Sequence, residues 1–304
     1  MKILVIGGTG HVGNFLVPKL LQNRHDVYIG ARSEKKTWNS ENLKRAKFIK
    51  VDASEKESLY ALREERFDVV IDFPGTAKLV WDILADTVSH IIACGSLWMF
   101  GYPQILPTPE ISFEKCFYKG YAIRFEDIQK MLSESGNGKA VFTAIMPPNI
   151  CGPGKIPVDQ YGGRSIEYHK KMAAGEKVYI PDGPECLIGP CDAEDIAELF
   201  LLVVENRNIA AGQMFNVGSL YSLTTSEFIN TYSKIYKVEI PIERISWGKY
   251  ITEVNTSQVS WWNFYASMLP DITKARNLLG YKPRYTPEES MQRAVSWMKE
   301  QNLL

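Results

Sequence analysis

Glycines recur at every third position in the segment that follows the first apolar run of the chain, Gly7-Gly8-Thr9-Gly10-His11-Val12-Gly13. The apolar run predicts a strand, and the periodic segment after the glycines predicts a helix. In that context Gly7 lets the chain turn off the strand, Gly10 lets the backbone approach a diphosphate, and Gly13 lets the helix pack closely. The free amides and positive dipole end of the helix favour an anion there. The segment therefore predicts a dinucleotide-binding turn, whose predicted contacts are Gly7, Thr9, Gly10, His11, Val12 and Gly13.

The second predicted strand ends in a basic segment where an acid would bind the adenosine ribose of NAD. Arg32 stands at this position, with Lys35 and Lys36 close behind. Arg32 could pair bidentately with a 2′-phosphate, which favours NADP over NAD, or it could be a solvated loop charge. After the third strand Asp52 could accept a hydrogen bond from the adenine amino group, and after the fourth Phe73 could line the ribose and the diphosphate.

Apolar runs rich in Val and Ile alternate with helical segments through the first half of the chain. This alternation predicts a parallel sheet covered on both faces. The predicted strands are Lys2–Ile6, Asp26–Ala31, Lys47–Val51, Asp68–Phe73, His90–Cys94 and Ala140–Met146. The predicted helices are Val12–Gln22, Glu55–Glu64, Ala77–Thr87, Ala193–Glu205, Thr225–Tyr236 and Pro287–Lys299.

The Pro- and Gly-rich segment from Cys151 to Gly163 predicts a loop between two lobes. The expected fold is α/β, a Rossmann-type doubly wound parallel sheet with a smaller mixed α/β C-terminal substrate lobe. Residues 1–155 form the predicted NAD(P)-binding domain, and 191–218 return to it. Residues 156–190 and 219–304 form the predicted substrate lobe.

The composition argues against several classes of partner. Lys and Arg total 35 and so do Asp and Glu, so a nucleic acid or an anionic membrane is not expected as the main partner. The five cysteines have no metal-ligand spacing, and no metal site is predicted. We expect reduced thiols in a cytoplasmic protein without a membrane segment.

Motifs spread over nearly the whole length resemble the extended short-chain dehydrogenase/reductase family, the NAD(P)-dependent epimerases and dehydratases of nucleotide sugars. Besides the glycine turn, the chain has a serine before a Phe-Gly pair, a Pro-rich turn, an acidic helix start, an Asn-Val-Gly strand end and a Leu-Gly-Tyr-x-Pro signature. These occur at Cys94–Gly101, Pro147–Gly154, Cys191–Ala197, Asn216–Gly218 and Ala275–Tyr285.

The resemblance implies a catalytic Ser, Tyr and Lys. Ser96 occupies the serine position, and Tyr118 best fits the tyrosine, which acts as general acid or base on a sugar hydroxyl. Pro147 stands in the turn beside the nicotinamide, and Asn149 falls where family members contact the diphosphate of the substrate. A homodimer through a helix pair that includes the tyrosine helix is a further implication.

The expected lysine, four residues after the tyrosine, is missing. From Tyr118 that position holds Ala122, and in the alternative frame from Tyr121 it holds Phe125. Lys119 would point about 100° away from Tyr118 on a helix. Three explanations stay open: a lysine or arginine from elsewhere supplies the charge, a reduced chemistry uses Ser96 and Tyr118 for polarisation, or the protein performs no redox turnover.

The expected function is therefore an NAD(P)-dependent epimerase, dehydratase or reductase acting on a nucleotide-sugar-like or other polar hydroxyl or carbonyl substrate. The alternative is a non-redox dinucleotide-binding regulatory protein or an RNA-binding member of the same fold. Clustered Lys and Arg, which an RNA-binding surface needs, are not evident in the balanced composition.

Overall fold

A computed structural model describes residues 1–34 and 37–304 of the chain. Lys35 and Lys36, which the sequence places near the adenosine ribose, lie outside the described residues. The strands are β1 Lys2–Ile6, β2 Asp26–Ala31, β3 Lys47–Lys50, β4 Val69–Asp72, β5 His90–Cys94, β6 Val141–Met146, β7 Asn149–Cys151, β8 Val178–Pro181, β9 Leu187–Ile188, β10 Pro190–Asp192, β11 Gln213–Asn216, β12 Leu223–Thr224 and β13 Ile242–Ile245.

The α-helices are α1 Gly13–Gln22, α2 Ser40–Leu43, α3 Lys56–Tyr60, α4 Ala77–Leu84, α5 Lys119–Glu134, α6 Ile166–Ala173, α7 Ala193–Glu205, α8 Arg207–Ala210, α9 Thr225–Tyr236, α10 Trp247–Lys249, α11 Gln258–Trp261, α12 Thr273–Leu279 and α13 Pro287–Glu300. Short 3₁₀ segments occur at Ala61–Glu65, Leu97–Phe100 and Trp262–Phe264, and a π-helical turn at Tyr250–Val254.

Seven parallel strands form the central sheet in the order β11-β6-β5-β4-β1-β2-β3. Strand β1 pairs with β2 on one side and with β4 on the other, so the winding of the chain reverses there. In open α/β sheets, ligands bind outside the carboxyl ends of the strands at such a switch point. The predicted fold class is confirmed, and the six predicted strands occur with bounds that differ by no more than one residue at either end.

Two apolar layers bury both faces of this sheet. Helices α1 and α7 pack on one face, where Leu16, Leu20 and Phe200 are fully buried. Helices α3, α4 and α5 pack on the other, with Trp81 and Met131 in its core. Because both faces of the sheet centre are covered, β1, β4, β5 and β6 are buried along nearly their whole length, while the edge strand β3 is mostly exposed.

The remaining elements build a smaller lobe with its own core. Its short sheets pair β8 with β13, β9 with β12 and β7 with β10. Helices α9 and α13 cover this core, and α13 begins with a capping box between Thr286 and Glu289. Arg293 of α13 donates from Nε to the buried carboxylate of Asp192 at 3.0 Å, at the start of α7. Strand β11 adds to the central sheet beside β6, so the chain returns to the first lobe before α9.

Within residues 1–34 and 37–304, no helix has the length and the hydropathy that crossing a bilayer would require. The same ranges contain no group of three His, Cys, Asp or Glu side chains arranged to hold a metal ion.

Candidate functional site

The glycine turn lies between β1 and α1, at the switch point of the sheet. Gly7 has a φ of +78°, and a Cβ on Gly13 would lie 2.5 Å from the carbonyl oxygen of Gly8. No L side chain is tolerated at Gly7 without strain, and none fits at Gly13 without moving the backbone. The sequence patterns that predict strand, turn and helix here agree with the observed geometry.

The turn leaves hydrogen-bond donors free for an anion. The Gly10 amide donates to the Gly7 carbonyl at 2.8 Å. Buried Asn14 donates from Nδ2 to the Thr9 and Gly10 carbonyls, at 2.8 and 2.7 Å. Among the described residues, the amides of Thr9, His11 and Val12 find no acceptor. Free amides at the start of the ten-residue helix α1 fit a diphosphate.

His11 links this turn to the Pro-rich turn. Its Nε2 donates to the Gly152 carbonyl at 3.2 Å, and its buried Nδ1 has no partner in the described part of the chain. Burial, followed by the charges of Arg164 and Lys155, lowers the pKa of His11 to about 3. The ring is therefore neutral at neutral pH and ties the two turns together.

A cleft of about 330 Å³ opens beyond the carboxyl ends of β1, β2 and β4, lined by residues that include Gly7, Arg32 and Asp52. Asp52 Oδ1 accepts from the Ser54 hydroxyl at 2.6 Å and its amide at 3.1 Å. These hydrogen bonds, with a smaller effect of the Arg32 charge, lower the pKa of Asp52. Asp52 is therefore ionised, and within residues 1–34 and 37–304 its Oδ2 has no hydrogen-bond partner. The adenine contact expected of Asp52 stays a prediction.

Phe73 follows β4 beside the glycine turn. It is partly buried, its ring packs on Phe200 with centroids 4.8 Å apart, and its Cβ lies 3.3 Å from where a Cβ on Gly7 would stand. Pro74 and Thr76 line the first cleft, and the cofactor contact expected of Phe73 stays a prediction. Asp72 at the end of β4 accepts from the Gly75 and Thr76 amides at 3.0 and 2.9 Å. This carboxylate organises the loop into α4, and the sequence analysis missed it.

A second cleft of about 260 Å³ lies beyond the carboxyl ends of β5 and β6, and Ser96, Tyr121, Pro147 and Asn149 are among its lining residues. The Ser96 hydroxyl accepts from the Trp98 amide at 3.3 Å. Its O–H hydrogen stays available to donate into the cleft. The structure thus brings together three residues that the sequence analysis assigned to the site, along with Tyr121.

Tyr118 differs from its predicted placement. Helix α5 begins only at Lys119, and Tyr118 precedes it in an extended conformation with φ −83° and ψ 105°. Its side chain is 46% exposed, and it is not among the residues that line the second cleft. The helical spacing from Tyr118 to Ala122 therefore does not apply. Tyr121, in the first turn of α5, occupies the cleft and packs edge-on to Trp98.

Asn149 is a component of the cleft wall whose amide is already engaged. Its Nδ2 donates to Asn263 Oδ1 at 2.8 Å, and its Oδ1 accepts from the Gly189 amide at 3.2 Å. Asn263 lines the same cleft and also donates to the Gly162 carbonyl at 3.0 Å. The substrate contact expected of Asn149 remains a prediction, and Asn263 had no sequence signal.

Positive charge lines the far wall of this cleft. Arg164 donates to the carbonyls of Ile150 and Ile156, at 2.7 and 2.6 Å. Lys155 lies beside it, and burial followed by the Arg164 charge lowers the pKa of Lys155. Among the described residues neither cation forms a salt bridge. This wall favours an anionic ligand.

Comparisons with known proteins agree with this geometry. Residues 3–92 match the model of the NAD dependent epimerase/dehydratase family. The segment contains the glycine turn and the first cleft, and the match confirms the resemblance predicted from the sequence.

Two curated relatives align over most of the chain. A UDP-glucose 4-epimerase from Lactobacillus helveticus is 22% identical, with 98% of this chain and 97% of the relative covered. The chloroplast stem-loop binding protein of 41 kDa b from Arabidopsis thaliana is 25% identical, with 95% and 77% covered.

A solved UDP-glucose 4-epimerase from Bifidobacterium longum, in complex with NAD⁺ and UDP, superposes with a TM-score of 0.76 and 17% identity. The superposition covers 100% of this chain and 99% of the relative's chain. At this identity the likeness establishes the fold, and the function must be argued from the site.

Proposed function

We propose that the chain binds NAD or NADP and uses it to epimerise, dehydrate or reduce a sugar linked to a nucleotide diphosphate. The observation that carries the proposal is the second cleft, where Ser96 and Tyr121 stand beside Pro147 at the carboxyl edge of the sheet. A hydroxyl and a phenol at that edge are the groups that move a proton on a sugar hydroxyl.

The residues around the glycine turn fit a dinucleotide. The free amides of Thr9, His11 and Val12 would hold the diphosphate, and the first cleft would take the adenosine. The family description and the solved relative's ligand both name NAD. Arg32 lines that cleft after β2, and we propose that it pairs with a 2′-phosphate and so decides between NADP and NAD.

The cationic wall supports an anionic substrate. Arg164 and Lys155 face the cleft that holds Ser96 and Tyr121, so a substrate with a negative group would be favoured there. A nucleotide diphosphate supplies such a group, and UDP-sugars are named for several relatives.

The chemistry assigned to the chain is proton handling. When bound, the nicotinamide accepts a hydride from a sugar carbon and can return it. The hydroxyl on that carbon would give its proton to the Tyr121 phenolate, which becomes the phenol, while the C=O bond forms. Ser96 would donate a hydrogen bond to the substrate oxygen. In the reverse direction Tyr121 gives the proton back.

The test is a direct assay with purified protein, NAD⁺ or NADP⁺ and a panel of UDP- and TDP-sugars, with products separated by chromatography. We expect one sugar to be converted, and Ser96→Ala to slow the conversion without weakening cofactor binding. Cofactor binding combined with no conversion of any sugar would contradict the proposal.

A second candidate function is RNA binding without redox turnover. The observation that favours it is the stem-loop binding relative combined with the missing helix lysine. A salt-dependent mobility-shift assay with a stem-loop RNA separates the two, because RNA affinity should fall steeply with salt. The equal numbers of basic and acidic residues weigh against this candidate.

A further inference from the structure

We propose that Arg124 supplies the positive charge beside Tyr121 that the absent helix lysine would otherwise provide. The inference rests on the proposed function, in which Tyr121 exchanges a proton with the substrate. It makes Arg124 a positioning residue, which acts through Tyr121 and not on the substrate itself.

Tyr121 and Arg124 lie on neighbouring turns of the same helix. Both belong to α5 and are three positions apart in the sequence. Side chains three apart on a helix lie on the same face, one turn from each other. The Arg124 guanidinium carbon lies 5.8 Å from the centre of the Tyr121 ring. The pattern of a lysine four residues after a tyrosine does not describe this pair, because both the spacing and the residue type differ.

The guanidinium group of Arg124 lies at the carboxyl edge of the central sheet. Arg124 Nη2 donates to the Cys94 carbonyl at 3.3 Å, at the end of β5. It also packs against Gly75, which follows β4 with a φ of +85°, so closely that any Cβ at Gly75 would collide with it. The Arg124 guanidinium is thereby fixed at the carboxyl ends of β4 and β5. Its partner Cys94 directly precedes Gly95 and Ser96, which line the second cleft.

The charges around Tyr121 include that of Arg124. Burial raises the pKa of Tyr121, and the Arg124 charge is the effect that opposes it; Tyr118, Cys116 and Cys94 add to the rise. The Arg124 charge also acts on the carboxylate of Asp72, whose oxygens accept hydrogen bonds from the Gly75 amide and the Thr76 hydroxyl. Among the described residues Arg124 forms no salt bridge with a carboxylate. Its charge therefore remains available to stabilise a Tyr121 phenolate.

Other cations near the site do not meet these conditions. Lys119 is exposed and lies at the first position of α5, and it is not among the charges that act on Tyr121. Lys155 and Arg164 line the same cleft, and they too are not among the charges that act on Tyr121. Among the described residues, Arg124 is the cation that acts on Tyr121, with its guanidinium carbon 5.8 Å from the ring centre.

The experiment measures the pKa of Tyr121 directly, in protein labelled with ¹³C at the tyrosine ring and free of substrate. Tyr121→Phe identifies the resonance. We expect Arg124→Gln to raise the Tyr121 pKa by about one unit or more, as removal of a nearby opposite charge does. Lys119→Gln, which removes one positive charge from the same helix, should leave it within about 0.3 units because that side chain is solvated.

Two further variants guard against a folding defect. Arg124→Met keeps a long apolar stem against Gly75 and should raise the Tyr121 pKa as the Gln variant does. Arg124→Lys keeps the charge and should hold the pKa close to the wild-type value. An unchanged pKa in both neutral variants, or an equal rise in Lys119→Gln, would overturn the proposal.

The readout also separates this inference from the proposed function. The Tyr121 pKa is measured without substrate or turnover, so it reports on Arg124 even if no sugar nucleotide is converted. Where turnover is observed, the rising limb of the kcat/KM profile against pH should move to higher pH in the neutral variants. A loss of kcat with no change of that profile would indicate a merely structural role.

Discussion

The glycine turn and the first turn of α5 are both sites where the chain must place a few atoms accurately, but they relate differently to the sequence. In the glycine turn the backbone itself is the functional group. A side chain would be strained at Gly7 and would collide with backbone at Gly13, so the positions of these glycines in the sequence fix the geometry. At α5 side chains are the functional groups, and a charge can reach the same point from several positions.

This difference explains why one region is predictable and the other is not. A strand–turn–helix with glycines at fixed spacing has one structural solution. The frame of α5 depends on where the helix begins, and helix ends are hard to place from sequence. Helix α5 begins at Lys119, so Tyr118 precedes it with extended backbone, and Tyr121 lines the second cleft where Tyr118 does not.

The largest effect should come from closing the glycine turn. Gly13→Ala places a methyl group against the Gly8 carbonyl, where only backbone can move away. We expect the free energy of unfolding to fall by about 3 kcal/mol and cofactor binding to be lost, as measured by urea denaturation and calorimetric titration. Gly248→Ala is the matched control, since nothing lies within 4 Å of a Cβ there. Equal stability of the two variants would contradict the claim that the backbone of the glycine turn leaves no room for a side chain at Gly13.

The next effect distinguishes the two tyrosines. Tyr121→Phe should lower kcat by about a hundredfold or more, the size expected for loss of a general acid or base. Tyr118→Phe, at an exposed position before the helix, should change kcat by less than about threefold. Steady-state kinetics on the two variants decide the matter. A larger loss in Tyr118→Phe would restore the frame predicted from the sequence.

The pH dependence of stability should report on the glycine turn through His11. Folding lowers the pKa of His11 from 6.5 to about 3, mainly by burial. Between these values the unfolded chain binds the extra proton, so the stability is fully present above pH 6.5 and is lost as the pH falls. At about pH 5 the loss amounts to about 2 kcal/mol.

His11→Gln keeps a donor for the Gly152 carbonyl but cannot titrate. Its unfolding free energy should fall less than that of the wild type between about pH 7.5 and pH 5. His90 and His169, whose pKa values are also lowered by burial, are present in both proteins. Parallel curves for the two proteins would show that the His11 ring is charged or solvated in the folded state.

The smallest effect concerns the choice of cofactor. Arg32→Ala should weaken NADP binding about tenfold, the cost of one charge-assisted pair, and leave NAD binding nearly unchanged. Arg276→Ala, an exposed arginine on α12, is the control. Equal weakening of both cofactors by Arg32→Ala would assign Arg32 to the general charge of the cleft and not to the 2′-phosphate.

Much of the architecture could be predicted because burial on both faces gives each central strand a continuous apolar run, as in β4 and β5. The glycine turn, Arg32 and Asp52 followed from strand ends that meet at one edge. Asp72, Arg124 and Asn263 could not be found this way. Arg124 packs against Gly75 and Asn263 donates to the Gly162 carbonyl, and both partners are far away in the sequence. Asp72 acts through hydrogen bonds within the loop that follows β4, whose geometry the sequence pattern does not give.

Phe73 shows the converse limit. Its position after β4 predicts a cofactor contact, and in the structure it lies beside Gly7 while its ring packs on Phe200. Position along a strand identifies the edge that a residue reaches, but not the side to which its ring turns.

The most direct test of the central claim is a calorimetric titration of the purified chain with NAD⁺, NADP⁺ and their reduced forms. We predict binding at a single site per chain, since one glycine turn supplies the free amides for the diphosphate. Absence of binding by all four dinucleotides would contradict the assignment of the glycine turn and the function built on it.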